Sequence, residues 1–239
     1  MNTRLNKKTK FVDLGLIDYQ QAWDYQTNLF QSILDVKSQN RVLAPNEQLS
    51  TNNFLLFCEH PHVFTLGKSG DEKNLLVKKE ELHTIEATYY HINRGGDITY
   101  HGPGQIVVYP IIDMENFFTD IHKYLRLLEE SVIQTLAEFN IKSGRINGLT
   151  GVWIDFEDAN KARKICALGV KTSRWVTLHG LAFNVNTDLN YFKYIVPCGI
   201  DDKAVTSLEK ELGKQLDIKQ VKSILKNKLS GLFEMEIIN

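Results

Sequence analysis

The sequence predicts a mixed α+β protein in which helices flank a mixed sheet built largely from hairpins. Segments with apolar residues every three or four positions alternate with short apolar runs of strand length. The chain has 239 residues, 43% hydrophobic and 24% charged, which is the composition of a globular protein with a core. This length suits one generous domain, so we expect a single domain over residues 1–239.

Composition argues against two classes of partner. The formal net charge of −1 offers no basic stripe for nucleic-acid phosphates, and no apolar run approaches the ~20 residues that span a bilayer. Residues 1–10 are polar and basic with no apolar stretch behind them, so we expect a flexible arm and not a secretory signal. Three cysteines without a Cys-x-x-Cys pair favour free thiols in a reducing, cytoplasmic setting.

The first half of the chain predicts one long helix followed by short strands. Asp18 can cap a helix whose apolar positions, three or four apart, include Phe30 and Leu34. Residues 38–53 are polar and predict a surface connection. Further on, the pattern predicts strands and one short helix, in the order strand 54–58, strand 63–66, helix 75–82 and strand 87–93.

The second half predicts a buried strand, a strong helix and a group of strands. The buried strand is expected at residues 106–112, and Thr119 and Asp120 then cap the clearest helix of the sequence. An amphipathic helix from Asp217 closes the chain. Between the two helices, polar turns separate four strand candidates, at residues 141–145, 151–155, 164–170 and 181–185.

Residues 94–105 are the most unusual stretch of the chain. They hold four of the 15 glycines together with Arg94, Asp97, His101 and Gln105, and an apolar strand follows at once. One interpretation is an ordinary hairpin loop. The other is a Gly-rich bend that brings backbone N–H groups close to a ligand.

The three cysteines differ in their surroundings. Cys58 and Cys166 lie within apolar, strand-like runs, where small buried thiols usually serve packing. Cys198 lies between Pro197 and Gly199 in an irregular turn, where a thiol can be exposed and aimed as a nucleophile requires. A structural thiol is the alternative at that position.

Histidines and one lysine are the other candidates. His60 and His62 form a His-x-His pair, but no second pair at ligand spacing accompanies it, so we expect no metal site. His101 and His179 each neighbour a glycine in a predicted loop and are better placed for a site. Lys164 opens an apolar strand. It either snorkels to water or is drawn into a site, where its charge would lower the pKa of a neighbouring thiol.

Six ordered blocks of the sequence resemble the lipoyl(octanoyl) transferase family, and together they cover roughly residues 55–210. The longest block begins Arg94-Gly95-Gly96-Asp97-Ile98-Thr99-Tyr100-His101 and runs to Tyr109. The others lie at residues 59–67, 148–153, 164–169, 179–185 and 197–199.

This resemblance implies the fold of the biotin and lipoate protein ligases, a mixed sheet with helices packed on it. It implies an acyltransferase that moves an octanoyl group from acyl carrier protein to a lysine of apo-lipoyl domains through an acyl-cysteine thioester. The implied acceptors are the lipoyl domains of 2-oxoacid dehydrogenase E2 subunits and the glycine cleavage H protein. No metal or cofactor is implied. Because an amide is more stable than a thioester, transfer needs no ATP, and the sequence has no G-x-x-x-x-G-K-[ST] loop.

The resemblance also assigns residues. Cys198 matches the acyl-thioester nucleophile, and Lys164 matches the lysine that lowers its pKa. With Lys164 in that role, His101 becomes a pocket residue and not a catalytic base. Three segments match the acyl-substrate site, and their residues are Arg94, Gly95, Gly96, Asp97, Ile98, Thr99, Tyr100, His101, Ala167, Leu168, Gly169, Gly180, Leu181 and Ala182.

Two positions depart from the family pattern. Ala167 stands where many members have serine, so a hydroxyl contact is absent there. His62 stands where the pattern has proline, which makes it a poor candidate for an essential residue.

Three other functions remain open at this stage. An ATP-dependent lipoate or biotin protein ligase would need a nucleotide-binding lysine loop and would have no use for Cys198. A non-catalytic acyl-binding module of the same fold would not need the pair of Cys198 and Lys164. A thioesterase, in which water replaces the acceptor lysine, differs only in whether the acyl-enzyme is protected from water.

Overall fold

The computed structural model describes residues 5–196 and 204–238. Their α-helices are α1 to α4, at Tyr19–Gln39, Ile121–Ala137, Leu208–Leu212 and Ile218–Phe233. Their strands are β1 to β12, at Lys8–Leu16, Asn53–Glu59, Val63–Leu66, Thr88–His91, Ile98–His101, Gln105–Ile111, Ser143–Gly144, Val152–Ile154, Arg163–Ser173, Val176–Asn184, Ala204–Val205 and Glu236–Ile238. Within these ranges, no helix combines the length and the apolarity that crossing a bilayer demands.

Most of the strands form one mixed sheet in the order β12-β1-β2-β6-β10-β9-β8-β7, and β11 pairs with the start of β9. The pairs from β2 to β7 are antiparallel, whereas β1 runs parallel to both of its neighbours and β11 runs parallel to β9. The mixed α/β class predicted from the sequence is therefore confirmed.

Helices cover both faces of this sheet, and the central strand β6 shows how the faces divide. Its residues are all buried and alternate in direction. Ile106 and Val108 pack with apolar residues of α2 and α4, whereas Val107 and Tyr109 pack with those of α1. Because the strand is buried on both faces, nearly all of its side chains are apolar, which explains the continuous apolar run in the sequence.

The strands β4, β3 and β5 form a second, smaller sheet in that order. Its apolar cluster includes Phe64, Ile98 and Tyr100, and it is closed by aromatic residues of the 3-10 turn Leu189–Tyr194. The chain passes from β5 to β6 through a tight turn in which Gln105 N donates to Gly102 O at 3.2 Å. The small sheet is thereby tied directly to the centre of the large one.

The helix predictions are largely confirmed, because each rests on a local signal. Asp18, Asp120 and Asp217 accept hydrogen bonds from the first turns of α1, α2 and α4. The connection after α1 is shorter than predicted, because the helix continues through Gln39. The helix predicted over 75–82 is wrong in type and bounds, since the structure has 3-10 turns at Glu72–Asn74 and Lys79–Ile85.

Four strands, β1, β5, β11 and β12, were not predicted from the sequence. The predicted flexible arm over residues 1–10 is corrected at its end, because residues 8–10 belong to β1 and pair with β2 and with β12. The strands β1 and β12 are partly polar or short, and their parallel pairing joins the two ends of the described chain. A contact at such sequence separation leaves no local pattern. Residues 94–105 also hold the strand β5 and so are not one loop.

We expect Leu225→Ala to destabilise the fold by roughly 2–5 kcal/mol, because Leu225 is fully buried where α4 meets the sheet. Urea unfolding followed by circular dichroism measures the change. Ser223→Ala, at an exposed position of the same helix, is the control and should stay within about 0.5 kcal/mol of the parent. Equal effects of the two substitutions would contradict the packing described for α4.

Candidate active site

A cavity of about 360 Å³ lies between β6, β9 and β10 of the large sheet and the segment that leads into β5. This is the size range of small-molecule sites. Every predicted substrate residue except Tyr100 lines it, as does Lys164. The cavity is also lined by Tyr19, Gln105, Val107, Tyr109, Leu125, Gly148, Leu149, Thr150, Val170, His179, Asn184, Phe192 and Val205.

One wall of the cavity is backbone resting on the edge of β9. Gly95 N donates to Val170 O at 3.0 Å, where β9 has no strand partner on that side among the described residues. Gly169 makes this approach possible, because a Cβ there would lie 2.9 Å from Gly95 O and 3.0 Å from Arg94 Cδ. Any side chain at position 169 would push the wall away from the sheet.

Arg94 shapes this wall from inside the protein. Its side chain is only 8% exposed. The guanidinium donates to Thr65 O at 2.7 Å, to Thr65 Oγ1 at 3.0 Å and to Gly95 O at 3.1 Å. Asp97 fixes the far end of the loop by accepting from Asn74 Nδ2 at 2.6 Å and from the N of Ile98 at 2.6 Å. These hydrogen bonds tie the loop at both ends to the rest of the protein.

Lys164 stands where β9 meets β8 and β11. It is half-buried, and its Nζ lies 4.7 Å from the centre of the Trp153 ring. Val205 of β11 pairs with Lys164, and Thr206 N donates to Lys164 O at 2.9 Å. Neighbours on both sides therefore hold the lysine at the cavity, instead of leaving it at a frayed strand end.

The structure tests the predictions for two of the three cysteines. Cys58 and Cys166 are fully buried, which confirms that they serve packing. Burial raises the pKa of both thiols well above the ordinary value, so both stay protonated and unreactive at neutral pH. Cys198, the predicted nucleophile, lies outside the described residues, so its role stays a prediction.

A network of neutral polar groups borders the cavity beside Tyr19. His101 Nδ1 donates to Gln105 Oε1 at 2.8 Å, and Gln105 Nε2 donates to Asn184 Oδ1 at 2.9 Å. His60 Nδ1 donates to the backbone oxygen of residue 17 at 2.8 Å. The Tyr19 ring stacks on that of His101 with centres 6.0 Å apart. Burial lowers the pKa of His60 to about 4 and that of His101 to about 3, so both rings are neutral at pH 7.

His179 is the third buried histidine and the most strained. It lies on β10, not in the predicted loop, with a backbone φ of 64°, a left-handed value that side chains rarely adopt. Its backbone N donates to Gln26 Oε1 at 3.2 Å, which ties β10 to α1. Burial lowers the pKa of His179 to about 3. His101 is likewise on a strand, β5, where the sequence predicted a loop.

Tyr100 is the predicted substrate residue that the structure does not bring to the cavity. It is buried in the small sheet, where its ring stacks on Tyr191 with centres 5.0 Å apart. Its hydroxyl bonds His62 Nδ1 at 2.7 Å. The physical reason is strand alternation, because His101 and Tyr100 are neighbours on β5 and so point to opposite sides.

The sequence missed other cavity residues for identifiable reasons. Tyr19 comes from α1, and nothing in its local pattern distinguishes it from a core aromatic. Gly148, Leu149 and Thr150 also line the cavity, and they lie in one of the six blocks that resemble the family. The resemblance could therefore have identified those three residues, whereas no sequence pattern marks Tyr19.

The two histidines of the His-x-His pair serve different sheets. His60 Nε2 bonds the Tyr109 hydroxyl at 2.7 Å, whereas His62 stacks on Tyr191 with ring centres 4.0 Å apart.

In the described part of the chain, no cluster of three or more His, Cys, Asp or Glu side chains is arranged to hold a metal ion.

Comparisons with known proteins identify the family of the chain. A family model, the lipoyl protein ligase A/B catalytic domain, matches residues 18–230. The chain is 62% identical to an octanoyltransferase of Cytophaga hutchinsonii over 239 residues, which cover 100% of this chain and 98% of that protein.

Solved structures share the fold at low sequence identity. A bi-partite lipoate protein ligase and its E2 lipoyl domain from Thermoplasma acidophilum match with a TM-score of 0.62 and 15% identity, over 98% of this chain and 88% of that one. A biotin protein ligase from Aquifex aeolicus in complex with biotin and ATP matches with a TM-score of 0.52 and 15% identity, over 94% of this chain and 70% of that one. The predicted biotin/lipoate ligase-like fold is therefore confirmed.

The buried histidines make stability depend on pH. In the unfolded chain a histidine takes up a proton below its ordinary pKa of about 6.5, whereas His60, His101 and His179 stay neutral in the fold down to about 4 or 3. The unfolded state then binds more protons, so stability falls as the pH drops below 6.5. Each histidine contributes a loss of about 2 kcal/mol between pH 7.5 and 5.0.

Urea unfolding of the parent and His101→Asn at pH 7.5 and 5.0 measures this effect. We expect the acid-induced loss to be smaller in His101→Asn by up to about 2 kcal/mol, because one buried proton acceptor has been removed. His122→Asn, at an exposed position of α2, is the matched control and should behave as the parent. An identical loss in His101→Asn and the parent would contradict the prediction.

Proposed function

The chain belongs to the octanoyltransferases of the lipoyl protein ligase A/B family, and we propose that this acyltransferase moves an octanoyl group from acyl carrier protein to a lysine of apo-lipoyl domains. One observation carries the proposal. The segments 94–101, 167–169 and 180–182, far apart in sequence, border a single cavity together with Lys164.

The proposed reaction has two halves joined by a covalent intermediate. The thiolate of Cys198 attacks the octanoyl thioester, the acyl–sulfur bond of the donor breaks, and the carrier leaves as a thiolate that takes a proton from the Lys164 ammonium. The uncharged lysine amine of the acceptor then attacks the new thioester, and Cys198 is released. The first half exchanges one thioester for another at little free-energy change. The second forms an amide and runs downhill, which is why ATP is not needed.

Lys164 suits both halves of this reaction. A cysteine with its ordinary pKa of about 8.5 is mostly thiol at neutral pH, and an ammonium within ~4–6 Å favours the thiolate. After the first half, a neutral Lys164 can accept the proton that the attacking amine must lose. The ring of Trp153 and the pairing with Val205 support the placement of this lysine at the cavity.

The cavity suits an alkyl chain. Leu168, Leu181 and Ala182 supply apolar surface, and the histidines along its border are neutral at pH 7. An octanoyl chain has about six methylenes, whose burial is worth roughly 5 kcal/mol at ~0.8 kcal/mol each. The chain length accepted should therefore depend on how far the cavity extends from Lys164.

The proposed acceptors are lipoyl domains of 2-oxoacid dehydrogenase E2 subunits and the glycine cleavage H protein. These follow from the family, and the structural relative from Thermoplasma acidophilum is itself a ligase with its E2 lipoyl domain. The low cysteine count without a Cys-x-x-Cys pair favours a reducing compartment, so we place the reaction in the cytoplasm.

We expect the protein, mixed with octanoyl-acyl carrier protein without ATP, to gain the mass of one octanoyl group. The adduct should be absent in Cys198→Ser and should form at least about tenfold more slowly at pH 7 in Lys164→Ala, because fewer thiols are ionised. Intact-mass spectrometry measures both, and Cys58→Ser is the matched control, since that thiol is buried. Adding apo-lipoyl domain should discharge the adduct onto the domain.

Other outcomes assign other functions. Transfer that requires ATP and free octanoate would identify a ligase. Rapid loss of the adduct as free octanoate would identify a thioesterase. Octanoyl-carrier protein bound without any covalent adduct would identify a binding module, and each of these results would overturn the proposal.

Narrowing the cavity should shorten the acyl chain that is accepted. Ala167 is half-buried on β9 and lines the cavity, so Ala167→Leu should favour hexanoyl over octanoyl donors by about tenfold or more relative to the parent. Competition between the two donors, resolved by mass spectrometry of the product, gives the ratio. Thr172→Leu, exposed further along the same strand, should leave it unchanged. An unchanged ratio in Ala167→Leu would place the alkyl chain elsewhere.

A further inference from the structure

Glu129 is a fully buried carboxylate in the middle of α2. Its Oε1 accepts from Gly151 N at 3.0 Å. Its Oε2 accepts from Arg145 Nε at 2.9 Å and forms an ion pair with Arg126, whose Nη1 lies 2.8 Å away. One carboxylate thus joins a helix, the strand region around residue 145 and the loop that precedes β8.

A buried carboxylate with these partners contributes little net stability to a fold. Removing a carboxylate from water carries a penalty of several kcal/mol, which even good pairing offsets only in part. Apolar side chains of the same size often stabilise a core as well or better. The charge-assisted hydrogen bonds of Glu129 fix the relative positions of the groups that they join.

The bond to Gly151 places that glycine against Lys164. Gly151 has a φ of 129°, which favours glycine, and a Cβ there would lie 2.7 Å from Cys166 O and 3.3 Å from Lys164 Cε. The segment 148–150 that ends at this glycine lines the cavity. Glu129 therefore holds a backbone wall in contact with the alkyl stem of the lysine.

The charges around this point come from three elements. Arg126 and Glu130 lie on α2 beside Glu129, Arg145 comes from the segment after β7, and Lys164 comes from β9. Besides burial, which is the main cause, the charge of Glu129 raises the pKa of the Cys166 thiol, whereas that of Lys164 lowers it. Both charges thus act on the same buried sulfur.

We propose that Glu129 is a positioning residue for Lys164, which it serves by fixing Gly151 and the cavity wall against the lysine stem. This inference rests on the proposed octanoyl transfer, in which Lys164 acts on the nucleophile and on the incoming amine. Glu129 itself touches neither substrate nor the reacting atoms.

Adjacent residues of α2 provide a matched test. Both Glu129 and Glu130 pair with Arg145, but Glu129 alone of the two bonds Gly151. The rate of octanoyl transfer from octanoyl-acyl carrier protein to apo-lipoyl domain is measured for the wild type, Glu129→Ala, Glu129→Gln, Glu130→Gln and Lys164→Ala. Each variant is assayed at a temperature at which circular dichroism shows it folded.

We expect kcat to fall about tenfold or more in Glu129→Ala, because Lys164 is displaced from the reacting groups. KM for the donor should stay within about threefold of the wild-type value, because the cavity proposed for the octanoyl chain is unchanged. Glu129→Gln keeps an oxygen for Gly151 N and should lie between Glu129→Ala and the wild type. Glu130→Gln should match the wild type. A merely structural role would lower the urea midpoint of both Glu129 variants and leave their kcat unchanged.

The inference is overturned if Glu129→Gln and Glu129→Ala turn over as the wild type does, if the loss is in KM alone, or if Glu130→Gln loses as much. If Glu129→Ala does not fold, the comparison of Glu129→Gln with Glu130→Gln decides in the same way. A wild type that transfers no octanoyl group, or a Lys164→Ala variant as fast as the wild type, would overturn the proposed function itself.

Discussion

The cavity depends on one close backbone approach, that of the loop at 94–97 to the edge of β9. The hydrogen bond from Gly95 N to Val170 O can form only because position 169 carries no side chain. The same contact closes the cavity on one side and leaves β9 without an exposed edge at that point. Arg94 then fixes the loop from within, through Thr65. The small sheet therefore acts as a wall for the large one.

Polar groups surround this cavity without making it a charged site. His60, His101 and Gln105 are hydrogen-bonded to one another, to Tyr109 and Asn184 or to the backbone, which offsets the cost of burying their polar atoms. The histidines remain neutral because burial opposes their protonation. Beyond the loop at 94–97, Lys164 is the charged side chain among the described residues that line the cavity.

Much of the fold could be predicted from local patterns, and the exceptions share a cause. The long helices follow from apolar spacing and aspartate caps, and β6 follows from its continuous apolar run. The strands β1 and β12 were missed because their parallel pairing joins distant segments. Tyr100 was assigned to the substrate site because the motif is contiguous in sequence, whereas strand alternation turns its side chain into the small sheet. Tyr19 reaches the cavity from α1 with no sequence signal of its own.

By itself, the sequence determined the mixed α/β class, the helix starts and the ordered motif blocks that contain Lys164 and the segments predicted to bind substrate. These are properties of short stretches of chain, in which composition and spacing are enough. The tertiary structure alone decided that segments 94–101, 167–169 and 180–182 border one cavity, that His101 is held neutral and that Glu129 is tied to Gly151. Each of those facts depends on burial or on a hydrogen bond between residues distant in the chain, where the free energy comes from packing and not from local preference.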